Sequence, residues 1–216
     1  DNRYGQLGQG AAAQVAEPVE VVGGHTWQAL AAGGSHVCGL EGDAVLCWGA
    51  TTAGQASGVL AGTSNAPCGA FAGLACDVLA PTRLALAAPV RELAPGANHT
   101  CALGDALTCW GDDSQGQLGA AGLPPTPVEV PGAWEALLPI RGNAQCAIQG
   151  GQTYCWGSTG AAASQAPTHI VELDGATIAN ASATIGIGSL GHACYLDKNR
   201  ERFCVGDNTK GQFGNG

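Results

Sequence analysis

Residues Val90 to Gly119 read VRELAPGANHTCALGDALTCWGDDSQGQLG. Two short runs, HTCAL and ALTCW, each carry a cysteine among apolar residues, and Gly104-Asp105 stands between them. Runs of this length bounded by Gly, Asp and Asn read as strands joined by a hairpin turn. The preceding VRELA, cut off by Pro95-Gly96, is a third. No stretch of the chain keeps a helical period with caps over three turns.

The same text recurs at Trp27–Gly49 (WQALAAGGSHVCGLEGDAVLCWG), Trp134–Gly157 (WEALLPIRGNAQCAIQGGQTYCWG) and Ile178–Gly206 (IANASATIGIGSLGHACYLDKNRERFCVG). The first cysteines of the copies, Cys38, Cys101, Cys146 and Cys194, are 63, 45 and 48 residues apart. The second, Cys47, Cys109, Cys155 and Cys204, step by 62, 46 and 49. A unit is therefore roughly 45–50 residues long, a period typical of propeller blades. The long first step points to an insertion near Val59–Ala80.

A second motif follows the Cys-Trp-Gly ending: DDSQGQLG at Asp112–Gly119, DNTKGQFG at Asp207–Gly214, a worn TTAGQASG at Thr51–Gly58 and a more degenerate Ser158–Ser164. The chain opens on the same text, DNRYGQLG at Asp1–Gly8. After these tails, Pro18-Val19-Glu20-Val21, Pro127-Val128-Glu129-Val130 and Pro167 leading to Ile170–Leu173 read as one more strand each. Placed ahead of the WxALAAG, HxCxL and xxCWG runs, it makes four strands per unit. The expected fold is all-β: a β-propeller of four-stranded blades, with about four present, part of a larger propeller. The expected map is one propeller-type domain over 1–216. It has a leading tail over 1–10, repeats over 18–58, 81–119, 127–164 and 167–216, and the insertion over 59–80.

These units resemble the repeats of the regulator-of-chromosome-condensation family, whose recurring text is close to GxxHTCALxxxGxxxCWGxNxxGQLG. Val90–Gly119 follows it nearly throughout, and the resemblance covers almost the whole chain outside the insertion. It implies a propeller, usually of seven blades, and leaves activity open because that fold hosts unrelated functions. The paired cysteines mark the expected form as a secreted, bacterial, Cys-Trp-Gly variant.

Ten cysteines form an even set. Within each unit the two fall on consecutive strands across a polar turn, where facing residues come within disulfide reach. Repeat symmetry selects Cys38–Cys47, Cys101–Cys109, Cys146–Cys155 and Cys194–Cys204, and leaves Cys68 and Cys76 as a staple inside the insertion. Five bridges imply an oxidising compartment, hence a secreted or cell-surface location. The chain contains no methionine, so it is expected to be a processed chain or a fragment, and a missing signal peptide does not argue against secretion. No apolar run reaches the length of a membrane-spanning helix.

Net charge is −9, with eight Lys and Arg in all. Phosphate neutralisation needs basic residues, so nucleic acid and anionic membrane surfaces are poor partners. The acidity and the disulfides together exclude the nuclear role of the family's namesake.

Candidate chemistry dissolves on inspection. His36, His99 and His192 each precede a cysteine by two residues, but Gln145 fills that place in the third unit and no CxxC spacing supports zinc. Their expected role is to hydrogen-bond a turn near the inner strand. His25 and His169 read as turn or surface residues. No GxSxG occurs, and the glycine-rich tails lack the lysine and following helix of a phosphate loop. The tails Asp1-Asn2, Asp112-Asp113 and Asp207-Asn208 lack a calcium loop's spacing. Trp48, Trp110 and Trp156 are expected to pack blade on blade. The expected function is a non-enzymatic extracellular interaction module without cofactor or metal. It binds a protein partner through face loops, with Phe71 and Leu74 of the insertion as a possible contact. The alternatives are a self-assembling surface or filament component using exposed blade edges and, further off, a lectin using the recurring tryptophans.

Overall fold

The computed structural model describes residues 1–58, 77–87, 89–120, 126–138, 142–158, 163–170, 185–188, 192–196, 202–206 and 208–214; in the last three strands it gives the backbone with Cys194 and Cys204. Cys68, Cys76, Phe71 and Leu74 lie outside the described residues.

Fifteen strands are described. They are β1 Ala29–Ala32, β2 His36–Glu41, β3 Ala44–Gly49, β4 Val78–Arg83, β5 Val90–Pro95, β6 His99–Gly104, β7 Leu107–Gly111, β8 Val128–Val130, β9 Ala136–Leu138, β10 Ala144–Gln149, β11 Gln152–Ser158, β12 Ala163–His169, β13 Ile185–Gly188, β14 His192–Leu196 and β15 Arg202–Gly206. They form three four-stranded sheets and one three-stranded sheet, each antiparallel and each in sequence order. The sheets, called blades one to four below, are those of a partial β-propeller. Blades one to three meet along their first two strands: β1 and β2 contact β5, and β5 and β6 contact β9. The outer positions fall to β4, β8 and β12.

Cysteine register follows from the hairpin text. Cys38 faces Cys47, Cys101 faces Cys109, Cys146 faces Cys155 and Cys194 faces Cys204, each pair bridged with Cα atoms 4.1 Å apart. A hairpin pair this close leaves room for little but a disulfide or two small side chains.

Three strand assignments differ from the sequence reading. The Pro-Val strand closes the preceding blade and does not open the next one: β8 pairs with β7, the Cys-Trp-Gly strand before it. Pro18–Val21 forms no strand. The third outer strand is Ala163–His169, which takes in Pro167 and shifts register against β11 between Cys155 and Gly157; 171–173 of the expected strand lie outside the described residues. The insertion's far end, Val78 to Ala80, belongs to β4, the outer strand of blade one.

The hydrophobic core is divided between the blades. One cluster joins Cys38, Leu40, Val45, Cys47, Ala56 and Leu84 of the first repeat to Val90, Ala102 and Trp110 of the second. The other joins Ala94, Cys101, Leu103, Leu107, Cys109 and Leu118 to Trp134, Leu137, Ala147 and Trp156. Few aromatic rings are available, so each interface is filled by disulfide sulfur, aliphatic carbon and one or two indoles.

Candidate interaction face and the blade lock

Three sets of side chains have the chemistry to be functional, and two of them are consumed by the fold. The first is the histidine position at the start of each second strand. His36 and His99 are 1% and 0% exposed. The His36 ring lies against Gly33 of its own β1–β2 turn, where a Cβ would stand 2.2 Å from Cε1; at Gly96 the corresponding distance to the His99 ring is 1.9 Å. Glycine is therefore required in that turn for the ring to fit. His36 Nε2 shares a 2.7 Å hydrogen bond with Thr100 Oγ1 of the next blade, so its polar contact crosses blades and does not hold the turn as expected from sequence.

Burial pushes the His36 pKa down to about 3, with the neighbouring His99 adding to the effect. Burial pushes His99 to about 4, against the opposing influence of the Asp112 carboxylate and the Ala144 backbone. The Ala144 group is near the ring without a well-aligned bond to either nitrogen. Both rings are neutral packing elements. Cys38 and Cys101 beside them are bridged and cannot serve as thiolate ligands. Among the described residues no group of three or more His, Cys, Asp or Glu is placed to hold a metal ion.

The second set is the tryptophans. Trp48, Trp110 and Trp156 are at most 1% exposed, which leaves no ring face for a sugar to stack on. Each indole N–H donates to a backbone carbonyl in the Gly-Gln loop of the repeat before it. Trp48 reaches Gln6 at 2.9 Å, Trp110 reaches Gln55 at 3.0 Å and Trp156 reaches Gln117 at 3.0 Å. The loops are built alike. Asn2 Oδ1 accepts from Leu7 N–H and Asp113 Oδ1 from Leu118 N–H, both at 2.9 Å. The glutamine Oε1 accepts from the N–H two residues earlier in all three: Gln6 from Tyr4, Gln55 from Ala53 and Gln117 from Gln115. Asp1, Asn2, Asp112 and Asp113, which a calcium reading would use, are thus engaged with the loop's own backbone. A backbone ladder adds to the lock, Gly34 N–H donating to the Ala97 carbonyl at 2.9 Å and Ala97 N–H to the Gly142 carbonyl at 2.7 Å.

The third set is left facing outward. It lies where each second strand turns into the third, beside the start of each first strand. Asp43, Asp105 and Glu135 are exposed there, with Glu41 and Glu92 half-buried among them. Glu41 accepts from Thr26 N–H at 2.9 Å and pairs with His25 at 3.0 Å, and these contacts hold its carboxyl below the usual range. Glu92 accepts from Leu137 N–H of the next blade at 2.8 Å, and Glu135 from Gly150 N–H at 2.7 Å. Two arginines share this rim: Arg91, bonded to the Gly104 and Glu135 carbonyls, and exposed Arg83, which lines one pocket with Asp43. Three of the rim carboxylates, Glu41, Glu92 and Glu135, are tied to backbone N–H groups. The sequence reading missed it: Glu92 and Glu135 fall at different places in their repeats, Glu92 matching Ala136.

His25 and His169 are both ring partners: His25 lies 4.7 Å from Trp27, and His169 lies 5.3 Å from Tyr154.

Solved structures with this architecture include human WBSCR16, with a TM-score of 0.69 at 21% identity over 96% of this chain. Yeast RCC1 (Prp20), solved bound to Kap60, gives 0.61 at 18% over 85%. The entire ectodomain of the Physcomitrella patens receptor kinase CR4 gives 0.51 at 22% over 89%. The fold is that of the RCC1-type propellers. This chain spans 56%, 42% and 44% of those three chains, about half of each. No family model matches the sequence, and no curated protein matches it.

Proposed function

We propose that this RCC1-type propeller is a non-enzymatic module of an oxidising, extracellular compartment that binds a protein partner through its acidic turn rim. The observation that carries the reading is how the side chains are divided. His36, His99, Trp48, Trp110, Trp156 and the paired cysteines of blades one to three are buried in the packing within and between blades. Asp43, Asp105 and Glu135 stand exposed on a face fixed by backbone hydrogen bonds. A net charge of −9 favours a partner with a cationic surface. Disulfides in all four described hairpins support the compartment, and among the described residues no helix is long and apolar enough to cross a membrane. Two of the structures of similar fold are a complex with another protein and a receptor ectodomain.

The test is calorimetric titration of the chain with a folded basic protein, lysozyme, as probe. The expected result is saturable one-to-one binding, weakened at least tenfold by Asp43→Lys/Asp105→Lys/Glu135→Lys with the far-UV spectrum unchanged. Equal binding by the triple variant would overturn the rim as the site.

A further inference from the structure

Asn98-His99-Thr100 is an Asn-x-Thr triplet, the acceptor text for N-linked oligosaccharide in secreted chains. The structure puts Asn98 where such a group fits. It ends the turn 96–98 between β5 and β6, and it is exposed. The turn is held from both sides: Gly34 N–H of blade one donates to the Ala97 carbonyl, and Ala97 N–H donates to the Gly142 carbonyl of blade three. Asn98 is therefore open to solvent between two packed neighbours.

Its backbone carries the structural duty. The Asn98 carbonyl accepts from Asp112 N–H at 2.9 Å. Ser35 and Asn143 make the same bond in blades one and three, to Ala50 and Ser158 N–H at 2.8 Å each. A serine serves in one blade and an asparagine in two, so the turn does not depend on the side chain. Ser35 lacks the amide, and Asn143 has no hydroxyl two residues on, so among these three turns only that of blade two completes the triplet.

The placement spares the acidic rim. Asn98 precedes the six-residue β6 and Asp105 follows it. At about 3.4 Å per residue the two lie roughly 20 Å apart, at opposite ends of blade two. Thr100 fixes the timing. It is 0% exposed, and its hydroxyl shares the 2.7 Å bond with His36. An enzyme that reads the amide and the hydroxyl together meets both only before blades one and two dock.

We propose that Asn98 is an N-glycosylation site, modified on the nascent chain before blade two closes on blade one. Asn98 Nδ2 bonds to the anomeric carbon of a lipid-pyrophosphate-linked oligosaccharide. The carbon–oxygen bond to the pyrophosphate breaks, the lipid pyrophosphate leaves with the electron pair, and one amide proton is released. The proposal rests on the secretory address given under the proposed function and is independent of the rim.

Secretion of the full chain from yeast behind a cleavable leader tests it. The chain carries Asn180→Gln, which removes the other such triplet, Asn180-Ala181-Ser182, outside the described residues. Peptide mass mapping without reduction reads the glycan and the Cys101–Cys109 bridge in one sample. The expected result is a glycan on the peptide holding Asn98 in the bridged chain, removed by peptide N-glycosidase with aspartate left behind. Asn98→Gln abolishes the added mass with the far-UV spectrum unchanged, and Thr100→Ser keeps it. The folded, unmodified chain added afterwards to microsomal membranes stays unmodified; its modification there would overturn the timing. An unmodified Asn98 in the bridged chain overturns the proposal and leaves the compartment standing. A glycan confined to molecules without the bridge overturns it too. Cysteines free in every secreted molecule overturn the secretory address, and this proposal with it.

Discussion

A histidine that gives up its proton to fit beneath a glycine makes the fold sensitive to acid. His36 and His99 have pKa values of about 3 and about 4 in the fold, against 6.5 for the free side chain. Below pH 6.5 the unfolded chain therefore binds more protons than the folded one. Their contribution to stability is complete above that pH and is lost as pH falls toward the folded values. The slope reaches about 1.4 kcal/mol per pH unit for each ring. Denaturant midpoints should hold nearly level from pH 7.5 to about 7 and fall with growing slope toward pH 5. The double variant His36→Gln/His99→Gln, which copies the buried Gln145 of blade three, should flatten that dependence. Similarly, Trp110→Phe strands the Gln55 carbonyl without its donor in a buried interface. It should cost about 1–3 kcal/mol in urea unfolding. The tryptophan was legible in the sequence as a packing residue. Its acceptor was not, because a backbone carbonyl carries no side-chain signature.

In each described blade the hairpin of the second and third strands is closed by its own short covalent ring. Removing the Cys101–Cys109 bridge with serine at both places should cost about 2.5 kcal/mol on the chain-entropy estimate for so small a loop. Amide exchange should quicken first across β6 and β7. These bridges could be read from spacing alone because both partners lie within ten residues of each other and the pattern repeats. The outer strands could not be assigned that way. Pro127–Val130 looks like the start of a unit in the text, yet it pairs backward onto β7. Pro18–Val21 has the same residues and forms no strand. Sequence records what a strand is made of, whereas its pairing is set by the packing around it. The acidic rim escaped for a related reason: Glu41 and Glu92 come from different strands of different blades, and only the stacking brings them to one face.

At the scale of the molecule, sheets that meet along their first two strands place every second-to-third strand turn of blades one to three at the same end, so modest charges add up to a surface. Binding of a cationic protein there should weaken as salt rises from about 50 mM to 300 mM, because the pairs are exposed and separated by distances comparable with the Debye length. A titration across that range checks it; affinity indifferent to salt would point to an apolar contact elsewhere. The opposite end carries the Gly-Gln loops and indoles, and the loop always precedes the indole that it receives. Gln6 comes before Trp48, Gln55 before Trp110 and Gln117 before Trp156. A nascent chain leaving the ribosome therefore always has the acceptor waiting when the donor emerges. Each new wedge can consolidate on the one behind it, and its indole need not wait for anything still to be translated.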